Sequence, residues 1–122
     1  MGTFYIRCKV ENPIERNRAA VITKILVDTG CEHTWVPRTT LEKLGIAMEK
    51  KDLVFVMANG QQVTRNVGFA IIRVDKYFTI DEVVFAEKGD LTLLGARTLE
   101  GHNLTVDSRL KKLVAAGPIP AA

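Results

Sequence analysis

Short runs of bulky apolar residues, separated by polar turns, recur along the whole chain. Valine, isoleucine and aromatic residues dominate these runs, which is typical of β-strands. The turns between them contain Asn, Asp, Gly or Pro, the residues that favour chain reversal. The pattern therefore predicts strands at residues 4–10, 19–27, 35–36, 53–58, 61–64, 67–74, 78–85, 91–94, 104–106 and 113–115.

Only two stretches favour a helix, and both are short. Thr39 or Thr40 is a suitable N-cap for a helix at residues 41–44. A second helix is predicted at residues 96–100, with Gly101 just past its end. Many short strands with so little helix favour an all-β barrel or sandwich.

The composition adds little beyond an ordinary globular protein, because 47% of the residues are hydrophobic and 25% are charged. A chain of 122 residues can bury its own core. No linker or internal repeat is evident, so we expect one domain over residues 1–122. The net charge of +3 is scattered, without the basic and aromatic face that nucleic acid requires, so we expect no nucleic-acid partner.

Targeting signals are equally scarce. No apolar run approaches the roughly 20 residues that span a bilayer, so we expect no membrane partner. The N-terminus lacks the charged and apolar regions of a secretory signal. Cys8 and Cys31 do not show the spacing of a metal site. We therefore expect a cytoplasmic protein.

The segment most informative about chemistry is residues 25–30, Ile-Leu-Val-Asp-Thr-Gly. Three aliphatic residues carry the chain through the core, and it emerges at Asp28. A carboxylate at the buried end of a strand is costly unless it is paired or hydrogen-bonded. Gly30 permits a tight turn and close approach of a ligand backbone, and Thr29 offers a hydroxyl to a facing loop. The triplet alone is also what an ordinary turn contains.

Three segments in order resemble the retropepsin-like aspartic peptidases, which include retroviral proteases and their bacterial and archaeal relatives. Residues 25–30 are similar to the catalytic-loop signature of that family. Asn59-Gly60, between two predicted strands, resembles the tip of the flap hairpin. Residues 93–95, Leu-Leu-Gly before a predicted short helix, resemble the second signature. The resemblance covers nearly the whole chain.

The likeness is closer to prokaryotic single-domain members of that family. These carry a Thr-x-x-Pro segment after the acid, which residues 34–37 resemble. Residues 41–46 are similar to their Leu-x-x-Leu-Gly-Ile helix end, and residues 106–107 to their closing Val-Asp segment. The resemblance implies a retropepsin-like closed β-barrel, half of an enzyme, with a flap hairpin and one or two short helices.

The resemblance also implies the activity, that of an aspartic endopeptidase. Such enzymes use two carboxylates that share one proton, because like charges about 3 Å apart cannot both ionise. The chain has a single Asp-Thr-Gly triplet. The second carboxylate therefore has to come from another copy, and we expect a homodimer in which two Asp28 side chains meet on the two-fold axis.

Site roles follow from the same resemblance. It implies Asp28 as the catalytic acid, Thr29 as a clasp to its symmetry mate and Gly30 as an acceptor of a hydrogen bond from substrate. The hairpin tip is expected to close over an extended peptide or protein segment held mainly by its backbone. The residues implied to bind substrate are Trp35, Ala58, Asn59, Gly60, Leu91 and Leu93. No metal or cofactor is implied.

Four residues depart from the family pattern. Cys31 stands where Ala or Ser is usual, and a thiol is a poorer hydrogen-bond donor than a hydroxyl. Glu32 and His33 replace the small or acidic pair of retroviral members. Arg97 does not directly follow the glycine of the second signature, as the Arg of those enzymes does.

Several of these residues could instead have purely structural roles. Trp35, Leu91 and Leu93 could equally belong to the core. His33 could contact substrate or lie in a solvent-exposed loop, and His102 is expected at the surface or at a helix cap.

Other functions also remain open from the sequence. A catalytically silent dimer could keep the groove for binding extended peptides or for assembly, although intact Asp28 favours a peptidase. A cysteine or metal enzyme built on Cys31, His33 and His102 lacks ligand spacing. Oxidation of Cys31 could switch activity off, but Asp28 and Glu32 beside it would raise the pKa of the thiol.

Overall fold

Nine strands and two short helices make up the part of the chain that the computed structural model describes, residues 4–121. The predicted all-β fold with short helices is confirmed. The elements are β1 (Phe4–Glu11), β2 (Ala19–Val27), β3 (Thr34–Pro37), α1 (Arg38–Lys43), β4 (Lys50–Val56), β5 (Gln62–Val74), β6 (Tyr77–Ala86), β7 (Leu93–Leu94), α2 (Ala96–His102), β8 (Leu104–Asp107) and β9 (Lys112–Ala115).

Seven strands form one sheet in the order β1-β2-β7-β3-β6-β5-β4. An additional pairing between β1 and β5 joins the sheet back on itself, so six strands form a ring and β4 extends beyond it. Strands β8 and β9 form a separate antiparallel pair after α2. In residues 4–121 no helix has the length and apolar character needed to cross a membrane.

Alternation along the strands divides the apolar side chains between two clusters. On β6, Val83 and Phe85 point into the main core inside the ring. Val84 and Ala86 point the other way, into a smaller cluster with Trp35 that lies beneath the β4–β5 hairpin. Successive side chains of a strand face opposite sides of a sheet, so β6 is buried on both faces and separates the core from the hairpin.

Two parallel pairings position the acid-containing loop. Strand β2 pairs with β7, in the register Leu26 to Leu93 and Val27 to Leu94. Strand β3 runs parallel to β6 on the other side of β7. The loop after Val27 is therefore held between the segment that follows Leu94 and the start of β3.

Several predicted boundaries are wrong. The strands predicted at residues 61–64 and 67–74 are one continuous strand, β5. The polar residues Arg65 and Asn66 that interrupt the apolar pattern have partners of their own, the carboxylate of Asp90 and the backbone N–H of Asp52. Strand β7 is shorter than predicted, since Leu91 lies outside it with 65% of its surface exposed.

Both helices also differ at their ends. Helix α1 begins at Arg38 after Pro37, which occupies the N-cap position without a side-chain hydrogen bond, so neither Thr39 nor Thr40 caps it. Helix α2 continues through Gly101 and ends at His102, and its C-cap, Asn103, is left-handed with φ 56°. A Cβ at Gly101 would overlap with Thr79, so this glycine allows α2 to approach β6 closely.

Candidate active site

Asp28 lies immediately after β2 in a tight, hydrogen-bonded turn. Its carboxylate oxygen Oδ1 accepts a hydrogen bond from the N–H of Gly30 at 3.0 Å. Its carbonyl oxygen accepts one from the N–H of Cys31 at 3.2 Å. Asp28 itself is half-buried, and Thr29 and Gly30 are exposed. Asp28 is therefore less buried than the sequence predicts, and Thr29 and Gly30 face solvent.

The segment after β7 supports this turn through its backbone. The N–H of Asp28 donates to the carbonyl oxygen of Leu94 at 3.0 Å. The first N–H groups of α2, from Ala96 and Arg97, donate to the carbonyl oxygens of Cys31 and Glu32 at 2.7 and 3.0 Å. These donors have no partner inside the helix, so the turn satisfies them while α2 fixes the turn.

A buried chain of hydroxyl groups runs beneath the turn. The N–H of Gly95 donates to Oγ1 of Thr34 at 3.0 Å, and Thr98 donates to Oδ2 of Asp81 at 2.9 Å. The two threonine hydroxyls are 2.5 Å apart. Because the hydroxyl proton of Thr98 goes to Asp81, Thr34 is the donor between them. The chain thus has one direction, from Gly95 to the carboxylate of Asp81.

A cleft of about 650 Å³ opens beside Asp28. Four of the six predicted substrate-binding residues line it: Trp35, Ala58, Leu91 and Leu93. The other two, Asn59 and Gly60, lie at the hairpin tip and do not. The cleft is also lined by Asp28, Gly30, Cys31, Glu32, His33, Val54, Phe55, Val56, Met57, Gly89 and Asp90.

Trp35 lies both in an apolar cluster and in the wall of the cleft. It is only 4% exposed and belongs to the smaller apolar cluster, yet its ring also lines the cleft. Phe55 of β4 meets it edge to face, with 5.3 Å between ring centroids. Phe55 was not predicted as a site residue, although the alternation of the predicted strand at residues 53–58 places it and Met57 on one face.

The hairpin tip is longer than the predicted two-residue turn. Strand β4 ends at Val56 and β5 begins at Gln62, so five residues form the loop. Gly60 has φ 84°, whereas Asn59 is not left-handed. A two-residue Asn-Gly turn needs positive φ at both positions. The Asn59 side chain instead accepts a hydrogen bond from the N–H of Gln61 at 2.9 Å.

Charged groups gather around His33 at one end of the cleft. Its Nε2 lies 3.4 Å from Glu82 and 3.2 Å from Arg97. Lys50 donates to Glu82 at 2.7 Å, and this hydrogen bond lowers the pKa of that carboxyl group. His33 is half-buried and contacts the ring of Phe55 at 5.5 Å between centroids, so it is not a solvent-exposed loop residue.

Cys31 and His102 do not come together. Burial, followed by the neighbouring Asp28 charge, raises the pKa of the Cys31 thiol, which donates to the carbonyl oxygen of His33 at 3.2 Å. His102 is 4% exposed and its Nε2 bonds to the carbonyl oxygen of Ile72 at 2.7 Å, so its predicted surface position is wrong. Within residues 4–121 no three His, Cys, Asp or Glu side chains form a group that could hold a metal ion.

Comparison with known proteins identifies a family for this chain. Residues 16–101 match the model of the family described as "gag-polyprotein putative aspartyl protease". The match includes both the Asp28 turn and the segment that supports it. No curated protein matches the chain closely enough to count as a relative. The chain belongs to this family of aspartyl proteases, which is of the retropepsin-like type.

Proposed function

We propose that the protein is an aspartic endopeptidase that acts as a homodimer, with one Asp28 from each copy in the active site. The observation that carries the proposal is the half-buried Asp28 carboxylate beside an apolar cleft, in a turn whose next two residues are exposed. An exposed Thr29-Gly30 pair leaves room for a second copy to approach the acid. Membership of an aspartyl protease family supports the same activity.

The carboxylates within one chain support the need for a second copy. Three acids line the cleft: Asp28, Glu32 and Asp90. Asp90 is bound at both oxygens by Arg65, so it is not available to share a proton with Asp28. Among the described residues no hydrogen bond joins Glu32 to Asp28. A symmetric dimer supplies the missing carboxylate, since a two-fold axis brings identical residues together.

The chemistry then follows from two adjacent carboxyl groups. One keeps a proton because two negative charges in contact repel each other. The ionised member takes a proton from a water molecule, which attacks the scissile carbonyl carbon, and the protonated member donates to the carbonyl oxygen. The N–H of Gly30 holds the Asp28 carboxylate in place from within its own turn.

The walls of the cleft suit an extended peptide. Leu91, Leu93 and Trp35 offer apolar surface to side chains, and the hairpin lies across them with Phe55 and Met57 facing inward. In the proposal the tip at Ala58, Asn59 and Gly60 closes over the peptide and excludes water from the acids.

A second candidate is a catalytically silent dimer that binds extended peptides or supports assembly. The same apolar cleft favours it, and the two functions differ only in whether Asp28 performs chemistry.

Asp28→Asn separates the two candidates, with Asp52→Asn as the matched control. Asp52 is an exposed residue at the irregularity in the β4–β5 pairing, with φ 58°, a conformation that Asn also tolerates, and it does not line the cleft. Cleavage of a peptide library below neutral pH should be lost in Asp28→Asn and retained in Asp52→Asn. Equal cleavage, or equal absence of cleavage, in wild type and Asp28→Asn would support the silent dimer.

A mixing experiment tests the shared site directly. Excess Asp28→Asn protein should lower wild-type activity after subunits exchange, because mixed dimers contain one carboxylate. Excess Asp52→Asn protein should not lower it. Specific activity should also rise with total protein concentration where the dimer dissociates. Activity that is independent of both would contradict a two-chain site.

A further inference from the structure

The structure assigns Arg65 and Asp90 as positioning residues, which tie the β4–β5 hairpin to the loop at residues 87–91 and so set the shape of the cleft. The inference rests on the proposed function, since it concerns how the cleft of a peptidase holds its substrate. Neither residue is placed at the reacting atoms. Arg65 lies on the second strand of the hairpin, and Asp90 precedes Leu91 on the opposite wall.

The contact is a two-point bridge. Nε of Arg65 donates to Oδ2 of Asp90 at 2.7 Å, and a terminal guanidinium nitrogen donates to Oδ1 at 2.9 Å. The other terminal nitrogen donates to the carbonyl oxygen of Thr64 at 2.9 Å. Asp90 also accepts from the N–H of Glu87 at 2.8 Å, which closes its own loop. Both partners are therefore fixed in orientation.

Shielding from water distinguishes this bridge from its neighbours. Its side chains are 17% and 10% exposed, against 45% and 38% for the ion pair between Arg38 and Glu87 at the start of the same loop. Exposed ion pairs contribute little because water screens them. The hydrogen bond from Arg65 also lowers the pKa of Asp90 below its ordinary value, which favours the charged form of the bridge.

The position of the bridge in the hairpin gives it a mechanical role. Arg65 pairs in register with Leu53, so the bridge holds the hairpin at that level. Lys50 binds Glu82 of β6 further toward the base. Residues 54–64, the outer part of the hairpin, contain no charged side chain and so make no ion pair. Their inward side chains contact Trp35 and its neighbours through apolar surfaces. We therefore place the bending of the hairpin above Arg65.

Two variants test the role of the bridge. Asp90→Asn removes the charge but keeps an oxygen for the N–H of Glu87. Arg65→Lys keeps the charge but loses the two-point geometry. Arg73→Lys is the matched control, because Arg73 binds Glu11 through two nitrogens in the same way and does not line the cleft.

Hydrogen exchange and kinetics supply independent readouts. Amides of the hairpin and of residues 87–91 should exchange faster in both bridge variants than in Arg73→Lys. The bridge variants should raise KM roughly tenfold and leave kcat within about twofold. The reason is that binding energy lost equally from the ground state and the transition state weakens substrate binding without slowing the bound complex. Unchanged exchange, or faster exchange spread equally over the whole protein, overturns the inference. If the wild-type protein cleaves nothing, the proposed function fails. Hydrogen exchange then still tests whether the bridge between Arg65 and Asp90 holds the hairpin.

Discussion

The backbone N–H of Asp28 donates a hydrogen bond to the carbonyl oxygen of Leu94 at 3.0 Å. This bond joins the two sequence signatures, which lie on parallel strands paired side by side. The acid is thus positioned in part by a backbone hydrogen bond, which requires that the two strands lie side by side. Substitutions that push these segments apart should therefore affect the site most.

Gly95→Ala should displace the acid-containing turn. A Cβ at this position would overlap with the carbonyl oxygens of Glu32 and His33, which belong to the backbone and cannot rotate away. We expect a loss of about 1–3 kcal/mol in the free energy of unfolding, together with loss of peptide cleavage. Urea unfolding measures the first. A stability within about 0.5 kcal/mol of wild type would contradict the close contact.

Thr98→Val should break the buried hydroxyl chain. It leaves the hydroxyl of Thr34 without its acceptor and removes a donor from Asp81. A buried polar group that loses its partner costs about 1–3 kcal/mol. Thr105→Val, at an exposed position of β8, is the control and should be nearly neutral. Equal urea midpoints for the two variants would show that the chain of buried hydroxyl groups contributes nothing to stability.

His102 should make the protein less stable as the pH falls below about 6.5. Its Nε2 donates to Ile72, and its buried Nδ1 has no partner within residues 4–121, so burial lowers the pKa of the ring below its ordinary value. The unfolded chain then binds the proton more readily than the folded chain, and stability is present above the unfolded pKa and lost below it.

Unfolding measured between pH 5 and 8 checks this slope. Asp28→Asn is a suitable background, because it removes the proposed peptidase activity and with it any degradation of unfolded protein during the measurement. His102→Gln retains an N–H for the carbonyl oxygen of Ile72 but does not titrate, so its stability should vary less with pH. Identical pH slopes of stability with and without His102→Gln would contradict the prediction.

The two cysteines should differ in reactivity. Burial raises the pKa of Cys8 to about 12, and it also raises the pKa of the less buried Cys31. At neutral pH, iodoacetamide should therefore modify Cys31 slowly and Cys8 only after unfolding, since the thiolate is the nucleophile. Mass spectrometry of timed samples measures both rates. If peroxide modifies Cys31 and leaves cleavage unchanged, the redox hypothesis fails.

Much of the fold could be predicted because apolar runs mark strands directly. The same runs located Asp28, since three buried residues lead straight to it. The pairing of β1 with β5 could not be predicted, because Lys9 and Arg73 show no local sign that they are neighbours. Distant pairings depend on the whole chain, and a strand pattern does not encode its partner.

Polar residues account for two of the errors. Arg65 interrupts an apolar run, yet it remains in β5 because Asp90, 25 residues away, satisfies it. His102 was expected at the surface or at a helix cap because it lies just beyond the predicted second helix, but a carbonyl group of β5 gives it a buried partner. In each case the deciding contact is far away in sequence, whereas the prediction used only neighbours.

The parallel pairing of β2 with β7 also has a consequence for synthesis. Leu93 is translated 67 residues after its partner Leu26. Contacts so distant in sequence form slowly. A growing polypeptide on the ribosome therefore contains the acid long before the carbonyl group that positions it, so the order of translation delays assembly of the site until residue 94 has emerged.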